Sequence, residues 1–123
     1  MKKVIVIGAG AAGMMAAIMA AENGAEVILL EKMKRVGKKM LITGKGRCNM
    51  TNTASVPEII KNMTGNGPFL NSSLRAFDNE AVIRFFNFFG LVTKVELGGR
   101  VFPESDKAAD VVWAVFRQLH RLV

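Results

Sequence analysis

The sequence predicts an α/β fold that begins a doubly wound, Rossmann-like parallel sheet, and three features of its N-terminal segment predict it. Two apolar runs, Val4–Ile7 and Val27–Leu30, are typical of strands buried on both faces of a parallel sheet. Between them, residues 11–23 are rich in alanine and have helical composition, and Gly24 stands where a C′ glycine would end the helix. A strand, a helix and a strand within about thirty residues predict a right-handed βαβ unit.

The turn between the first strand and the helix carries a Gly-x-Gly-x-x-Gly pattern. Gly8 permits the tight turn, Gly10 lets the backbone approach a pyrophosphate, and Gly13 lets the helix lie close to the strand. The start of a helix also offers free N–H groups and a partial positive charge to phosphates. The pattern therefore predicts a dinucleotide site with these residues on its phosphate side: Gly8, Gly10, Ala11, Ala12 and Gly13.

Glu31 ends the second strand, eighteen residues after Gly13. A carboxylate at this place can accept hydrogen bonds from both ribose hydroxyls of a dinucleotide. An acid there also disfavours a 2′-phosphate, so the sequence favours FAD or NAD over NADP.

A competing interpretation of the same stretch is a signal peptide or a marginal membrane span, since Met1, Lys2 and Lys3 precede the uncharged residues 4–21. Three glycines make this a poor hydrophobic segment. A signal peptide would also not be followed at once by a buried strand that ends in an acid. We therefore expect a cytoplasmic location and no membrane partner.

The composition is that of one domain, with 123 residues of which half are hydrophobic. Enzymes of this fold usually need more sheet than two parallel strands, so we expect part of a longer protein. The single cysteine, Cys48, excludes an intramolecular disulfide, and without a partner an inert, partly buried thiol is favoured over a nucleophile. With one histidine, a metal site built from protein ligands is disfavoured.

The net charge of +7 is concentrated in one stretch, because no acid occurs between Glu31 and Glu58. Three interpretations remain open: a solvated basic surface, a positive rim over an anionic cofactor or substrate, and a nucleic-acid surface. The last is the least favoured, since aromatic residues for base stacking are missing there. The cations of this stretch are Lys32, Lys34, Arg35, Lys38, Lys39, Lys45 and Arg47.

Residues 32–53 are rich in glycine and polar groups, and they predict a long functional loop with Met40–Ile42 packed against the core. The small residues of 43–52 would bring the backbone close to a flat or anionic group. Arg47 and Asn49 supply directional hydrogen-bonding groups beside them.

Three stretches resemble one bacterial flavoprotein family: Gly37–Lys39, the run Thr-Gly-Lys-Gly-Arg-Cys-Asn-x-Thr-Asn over 43–52, and Gly99–Pro103 with Ser105. This is the BaiN-like, aminoacetone-oxidase-like family of FAD-dependent oxidoreductases, and the resemblance covers the whole chain in order. It implies a longer protein, FAD held by the glycine turn and Glu31, a loop near the flavin, and NAD(P)H as a candidate reductant. The candidate cofactor-binding residues in and beside this loop are Lys32, Lys39, Gly44, Gly46, Arg47, Cys48 and Asn49.

The remainder of the chain predicts helices and one hairpin. Pro57 begins a first helix, Asn71 or Ser72 caps a second, and Asp78 caps a third. Phenylalanines at helical spacing in the third helix indicate core packing rather than a flavin-stacking box.

A strand over 91–97 and a return strand over 100–102 predict a hairpin that turns at Gly98–Gly99. Ser105 predicts the N-cap of a last helix over 106–122, whose apolar stripe we expect to lie on a sheet.

The whole chain is thus expected to be the N-terminal part of an FAD-binding domain: the dinucleotide fingerprint in 1–31, a flavin-side loop in 32–53, and helices and a hairpin in 54–123. The expected function is that of a flavin-dependent oxidoreductase that acts on a small-molecule substrate, although no catalytic acid or base can be named. Alternatives are part of an NAD-dependent dehydrogenase and a non-catalytic nucleotide- or RNA-binding module. By itself the 123-residue chain is expected to have no turnover, to hold FAD poorly and to self-associate.

Overall fold

The βαβ unit forms as predicted in the computed structural model, which describes residues 1 to 123. It consists of β1 (Lys3–Ile7), α1 (Ala11–Glu22) and β2 (Glu26–Leu30). The two strands are parallel and pair in register from Lys3 opposite Glu26 to Ile7 opposite Leu30. The predicted α/β class with a parallel sheet at its start is therefore confirmed.

The two faces of this parallel sheet differ in burial. Val6, Val27 and Leu29 pack against the core on the side of α1. The prediction that both faces are buried is wrong for residues 1–123, because the other face lies open. This exposed sheet face consists of Ile5, Ile7, Ile28 and Leu30.

A second sheet is antiparallel and has the strand order β3 (Thr51–Asn52), β5 (Arg100–Pro103), β4 (Thr93–Glu96). A 3-10 turn over Leu97–Gly99 joins β4 to β5 and confirms the predicted hairpin, although β4 is shorter than 91–97. β3 lies in the segment that was predicted to be a loop. Its pairing with β5 fixes the end of that segment to the hairpin.

Two of the predicted helix starts are close to those observed. α2 (Val56–Lys61) begins one residue before Pro57, and Ser55 caps it with a capping box. α4 (Asn79–Phe88) is capped by Asp78, as predicted.

The start of α3 (Asn71–Ala76) differs from the prediction, because a 3-10 turn over Gly67–Leu70 leads directly into it and neither Asn71 nor Ser72 is the cap. In α4 the phenylalanines pack on one another edge to face, with Phe86 buried. This agrees with a core role for that helix.

α5 (Ala108–Leu122) begins two residues later than predicted, and Ser105 is not its N-cap. Asp106 is not helical, because its φ is left-handed at +59°. Its carboxylate binds side chains of other elements instead of the helix start. The apolar stripe of α5 packs mainly against α1 and the turns over Met40–Gly46 rather than on a sheet.

The core lies between α1, α4 and α5. Buried apolar side chains of α1 and α5 meet in this core, and the side chain of Gln118 donates a partly buried hydrogen bond to Glu22 (Nε2 to Oε1, 3.2 Å). Met40 and Leu41 pack on this core as predicted, whereas Ile42 is 75% exposed, because the chain turns away after Leu41. None of the helices combines the length and apolar character needed to cross a bilayer.

Candidate functional site

The glycine turn between β1 and α1 has the geometry that its sequence pattern predicts. Gly8 has a φ of +97°, and its N–H donates to the carbonyl of Leu30 at 2.7 Å, which extends the parallel ladder. Gly10 is the N-cap of α1 in an extended conformation. The N–H groups of Ala11, Ala12 and Gly13 therefore form the first turn, where an α-helix has no internal acceptors.

The close approach of α1 to β1 requires a glycine at position 13. A Cβ placed there would overlap the carbonyl oxygen of Gly8 and lie 3.0 Å from its carbonyl carbon. At Gly10, by contrast, a Cβ would meet nothing within 4 Å. The space in front of the helix start is thus open, and a side chain at position 10 would project into it.

Glu31 lies at the end of β2 and turns its carboxylate toward the glycine turn. Oε2 accepts the N–H of Ala9 at 2.7 Å, and Oε1 accepts the N–H of Met33 at 2.8 Å. These hydrogen bonds, from Met33 first and then Ala9, hold the pKa of Glu31 below its usual value. A carboxylate has about four acceptor sites, so two remain for hydroxyl donors.

Gly37 attaches the segment after β2 to the same turn. Its N–H donates to the carbonyl of Ala9 at 2.7 Å, and its φ is +63°. A Cβ there would come within 2.9 Å of Val112 on α5, so glycine satisfies both the conformation and the space. Ala9 therefore connects the glycine turn, Glu31 and this segment.

The loop over 43–49 has an unusual backbone. Gly44 and Gly46 have positive φ, and so do two residues with side chains, Lys45 (+56°) and Cys48 (+61°). A Cβ on Gly44 would lie 2.7 Å from the backbone nitrogen of Asn49, so the loop is closed on itself. Such strain persists only where the surroundings hold it in place.

Arg47 supplies much of that restraint. Its guanidinium is paired with Glu96 on β4 and with Asp106 before α5, at 2.7 Å in the latter case, and lies 4.0 Å from the ring centre of Phe102. Lys94 completes the group by binding Asp106 at 2.8 Å. We call these residues the ionic cluster: Arg47, Lys94, Glu96 and Asp106.

The ionic cluster shifts the pKa values of its acids downward. Arg47 and then Lys94 lower the pKa of Glu96, and Lys94 and then Arg47 lower the pKa of Asp106. The guanidinium of Arg47 is therefore engaged by protein carboxylates. Its assignment to the flavin side stays a prediction.

Cys48 is buried, and burial raises the pKa of its thiol, an effect partly opposed by a hydrogen bond with Thr43. A thiol with a raised pKa is a poor nucleophile, which agrees with the inert role favoured by the sequence. Asn49, the next residue, is exposed.

Lys32 and Lys39 are exposed, and neither makes a salt bridge. The structure therefore brings the glycine turn and Glu31 together, places the 43–49 loop on the hairpin, and leaves these two lysines in solvent. It also contains no group of three acidic, histidine or cysteine side chains arranged to hold a metal ion.

Sequence reasoning missed the residues that connect these parts. Ala9 acts only through its backbone N–H and C=O, so its residue type gives no indication of this role. Glu96 and Asp106 lie 49 and 59 residues from Arg47, too far apart for a sequence pattern to relate them.

A parallel βαβ unit, three glycines at a helix start and an acid at the end of the second strand define a Rossmann-type nucleotide-binding domain. More particularly, the chain belongs to the HI0933-like protein Rossmann domain family, which matches residues 2–122. The resemblance to this flavoprotein group inferred from the sequence is thereby confirmed.

Named relatives share much of this chain. It is 40% identical over 124 residues to the 3-dehydro-bile acid delta(4,6)-reductase of Clostridium scindens, and this alignment covers 98% of the chain and 29% of that protein. It is 35% identical over 108 residues to the ribosomal RNA dihydrouridine synthase of Escherichia coli, covering 88% of the chain and 26% of that protein. The chain thus spans less than a third of the length of these two relatives.

Proposed function

We propose that this chain is the FAD-binding portion of a flavin-dependent oxidoreductase. The observation that carries the proposal is the glycine turn, with open space in front of Gly10, a helix packed against Gly8, and Glu31 fixed beside both. This arrangement fits the ADP half of a dinucleotide.

Different residues of the site would bind different parts of FAD. The N–H groups of Ala11, Ala12 and Gly13 would hold the pyrophosphate, and the free acceptor sites of Glu31 would take the ribose hydroxyls. The loop over 43–49 would lie toward the flavin. When bound, FAD supplies the ring that accepts and returns a hydride.

We propose a positioning role for Arg47, in addition to the flavin-side place expected from its sequence. Because two carboxylates already engage its guanidinium, Arg47 would position the loop backbone, and the exposed amide of Asn49 would offer the free hydrogen-bonding groups. The three predicted segments, 1–31, 32–53 and 54–123, would then act as fingerprint, flavin-side loop and support.

Two further points support this proposal. Relatives named as a reductase and as a dihydrouridine synthase are in accord with redox chemistry. The carboxylate of Glu31 would repel a 2′-phosphate, so NADP is disfavoured at this site, while NAD(P)H remains a candidate reductant elsewhere.

Binding of ADP and FAD to the 123-residue chain, observed by amide NMR, tests the proposal. Both ligands should shift the signals of Ala9 to Gly13 and Met33 at about millimolar concentration, a binding free energy of about −4 kcal/mol. FMN lacks the adenosine half and should shift none of them. If FMN acts like ADP, or if ADP shifts residues elsewhere, the assignment is wrong.

The matched variants are Glu31→Gln and Glu26→Gln. Replacing Glu31 removes charge-assisted hydrogen bonds to the ribose and should weaken ADP binding by about 1.5–3 kcal/mol, or about tenfold or more. Glu26 pairs only with Lys3 at the surface, so Glu26→Gln should leave ADP binding unchanged.

A second candidate function is action on an RNA nucleotide. The dihydrouridine synthase relative and the exposed cations of 32–45 favour it. RNA held by these cations would dissociate steeply as salt rises, whereas ADP binding at the glycine turn should change little. A filter-binding titration at two salt concentrations separates the two.

A further inference from the structure

A cavity of about 300 Å³ lies inside the fold, between α1, the loop over 40–50, α4 and α5. Its floor is buried and formed by Cys48, Phe86, Val111 and Val115. The most exposed lining residues are Ala11, Thr43, Asn49 and Phe77. The cavity therefore reaches the first residue of α1, Ala11.

The lining is almost entirely apolar. Eleven of its thirteen residues are hydrophobic, and none carries a charge. The hydroxyl of Thr43 is already used, because it donates to the carbonyl of Met40 at 2.8 Å. Asn49 lies at the rim, so a polar group carried to the floor would lose its water without gaining a partner.

Size and flexibility also restrict the occupant. The volume is at the small end of the range for ligand pockets, large enough for fused rings. Three methionines, Met15, Met40 and Met50, line the wall and can adapt their shape to a ring. The occupant that fits is thus uncharged, hydrophobic and cyclic.

We propose that this cavity binds the hydrophobic ring portion of an uncharged substrate. Ala11 lines it and belongs to the helix start where the cofactor's phosphates would lie, so a substrate held there would be next to the cofactor. The role as a substrate site rests on the proposed function, whereas the binding itself rests on the cavity alone.

The flavin ring is a poorer occupant. Its pyrimidine edge carries N–H and C=O groups, and the cavity floor offers them only a thiol and hydrocarbon. A hydrocarbon ring loses no hydrogen bonds on entering.

The methionines provide the experiment, because three of the eight line the cavity. In protein labelled with 13C at the methionine methyl groups, naphthalene should shift Met15, Met40 and Met50, while Met19, Met33 and Met63 stay unchanged. Uridine, a polar ring compound, should shift none. Lumichrome, the flavin ring system without its side chain, should bind more weakly than naphthalene.

Three results would overturn the proposal. Naphthalene could leave the three methyl groups unchanged, it could shift all methionines equally, or lumichrome could bind more tightly than naphthalene. The last result would assign the cavity to the flavin. ADP titration remains independent, so loss of the naphthalene effect with ADP binding intact refutes this inference and not the proposed function.

Substitutions give a second test. Val82 lines the cavity, and Val82→Phe should fill it and weaken naphthalene binding by about tenfold or more, whereas Val95→Phe, on an exposed side chain of β4, should not. Should Val82→Phe fail to fold, Phe77→Ala removes a rim contact at a 39% exposed side chain and should weaken binding several-fold. Unchanged naphthalene affinity in the folded variants contradicts the cavity as the site.

Discussion

Replacing Gly13 by alanine should destabilise the fold, although alanine is the better helix former. The added Cβ would overlap the carbonyl oxygen of Gly8, and neither partner is a flexible side chain. Overpacking of this kind costs about 1–3 kcal/mol, and the backbone clash puts it at the upper end. The helix propensity of alanine returns at most about 1 kcal/mol. The expected net loss is about 2 kcal/mol.

Gly10→Ala is the matched control, because it adds the same methyl group without a clash. The φ of Gly10 is −79°, and the new Cβ would meet nothing within 4 Å. Alanine is a poorer N-cap than glycine, so a loss below about 1 kcal/mol is expected. The methyl group would project into the space proposed for the pyrophosphate, so ADP binding should be lost while the fold remains.

Urea denaturation followed by circular dichroism measures both effects. With a denaturant slope of about 2 kcal/mol/M, the midpoint should fall by about 1 M for Gly13→Ala and by less than half as much for Gly10→Ala. Equal midpoints for Gly13→Ala and the parent would show that α1 can move off β1 freely. The structural role given to Gly13 would then be refuted.

Three further predictions concern other parts of the molecule. Because the ionic cluster lowers the pKa of Glu96 and Asp106, its stabilisation is present above their ordinary pKa and is lost as pH falls through the lowered values; Arg47→Gln should therefore reduce the urea midpoint at pH 7 and flatten its decline in acid. Cys48 should react with iodoacetamide far more slowly than free cysteine at pH 8 and at a normal rate in urea, and fast reaction in the native protein would contradict its raised pKa. The exposed sheet face should cause concentration-dependent self-association in sedimentation, which Ile7→Lys should reduce, and a monomer at all concentrations would contradict this.

The parts of the fold that were predictable are those encoded in local backbone requirements. The glycine turn, the Asp78 cap and the hairpin at Gly98–Gly99 each depend on a residue type that only a few conformations accommodate. The position of Glu31 followed for the same reason, since the βαβ unit fixes where its second strand ends.

The parts that were not predictable depend on residues distant in sequence. The start of α5 moved because Asp106 is bound by Arg47 and Lys94, which turns a good N-terminal residue into a bridge between loops. The hydrophobicity of β1 and β2 indicated two buried faces, but the strand sequence cannot say which element covers each. At the candidate site, the glycine pattern indicated where phosphates would lie, whereas the restraint on the 43–49 loop came from β4 and could not be foreseen.

The packing of α5 on α1 has a consequence for synthesis of the protein. Seven residues of α5 are buried, so the last helix of the described chain supplies much of the core against which the first helix packs. On the ribosome, β1, α1 and β2 emerge early but lack their main packing partner, α5, until the rest of the chain follows. The hydrophobic surface of the nascent βαβ unit therefore stays exposed during synthesis, and we expect chaperones that bind emerging chains to bind it.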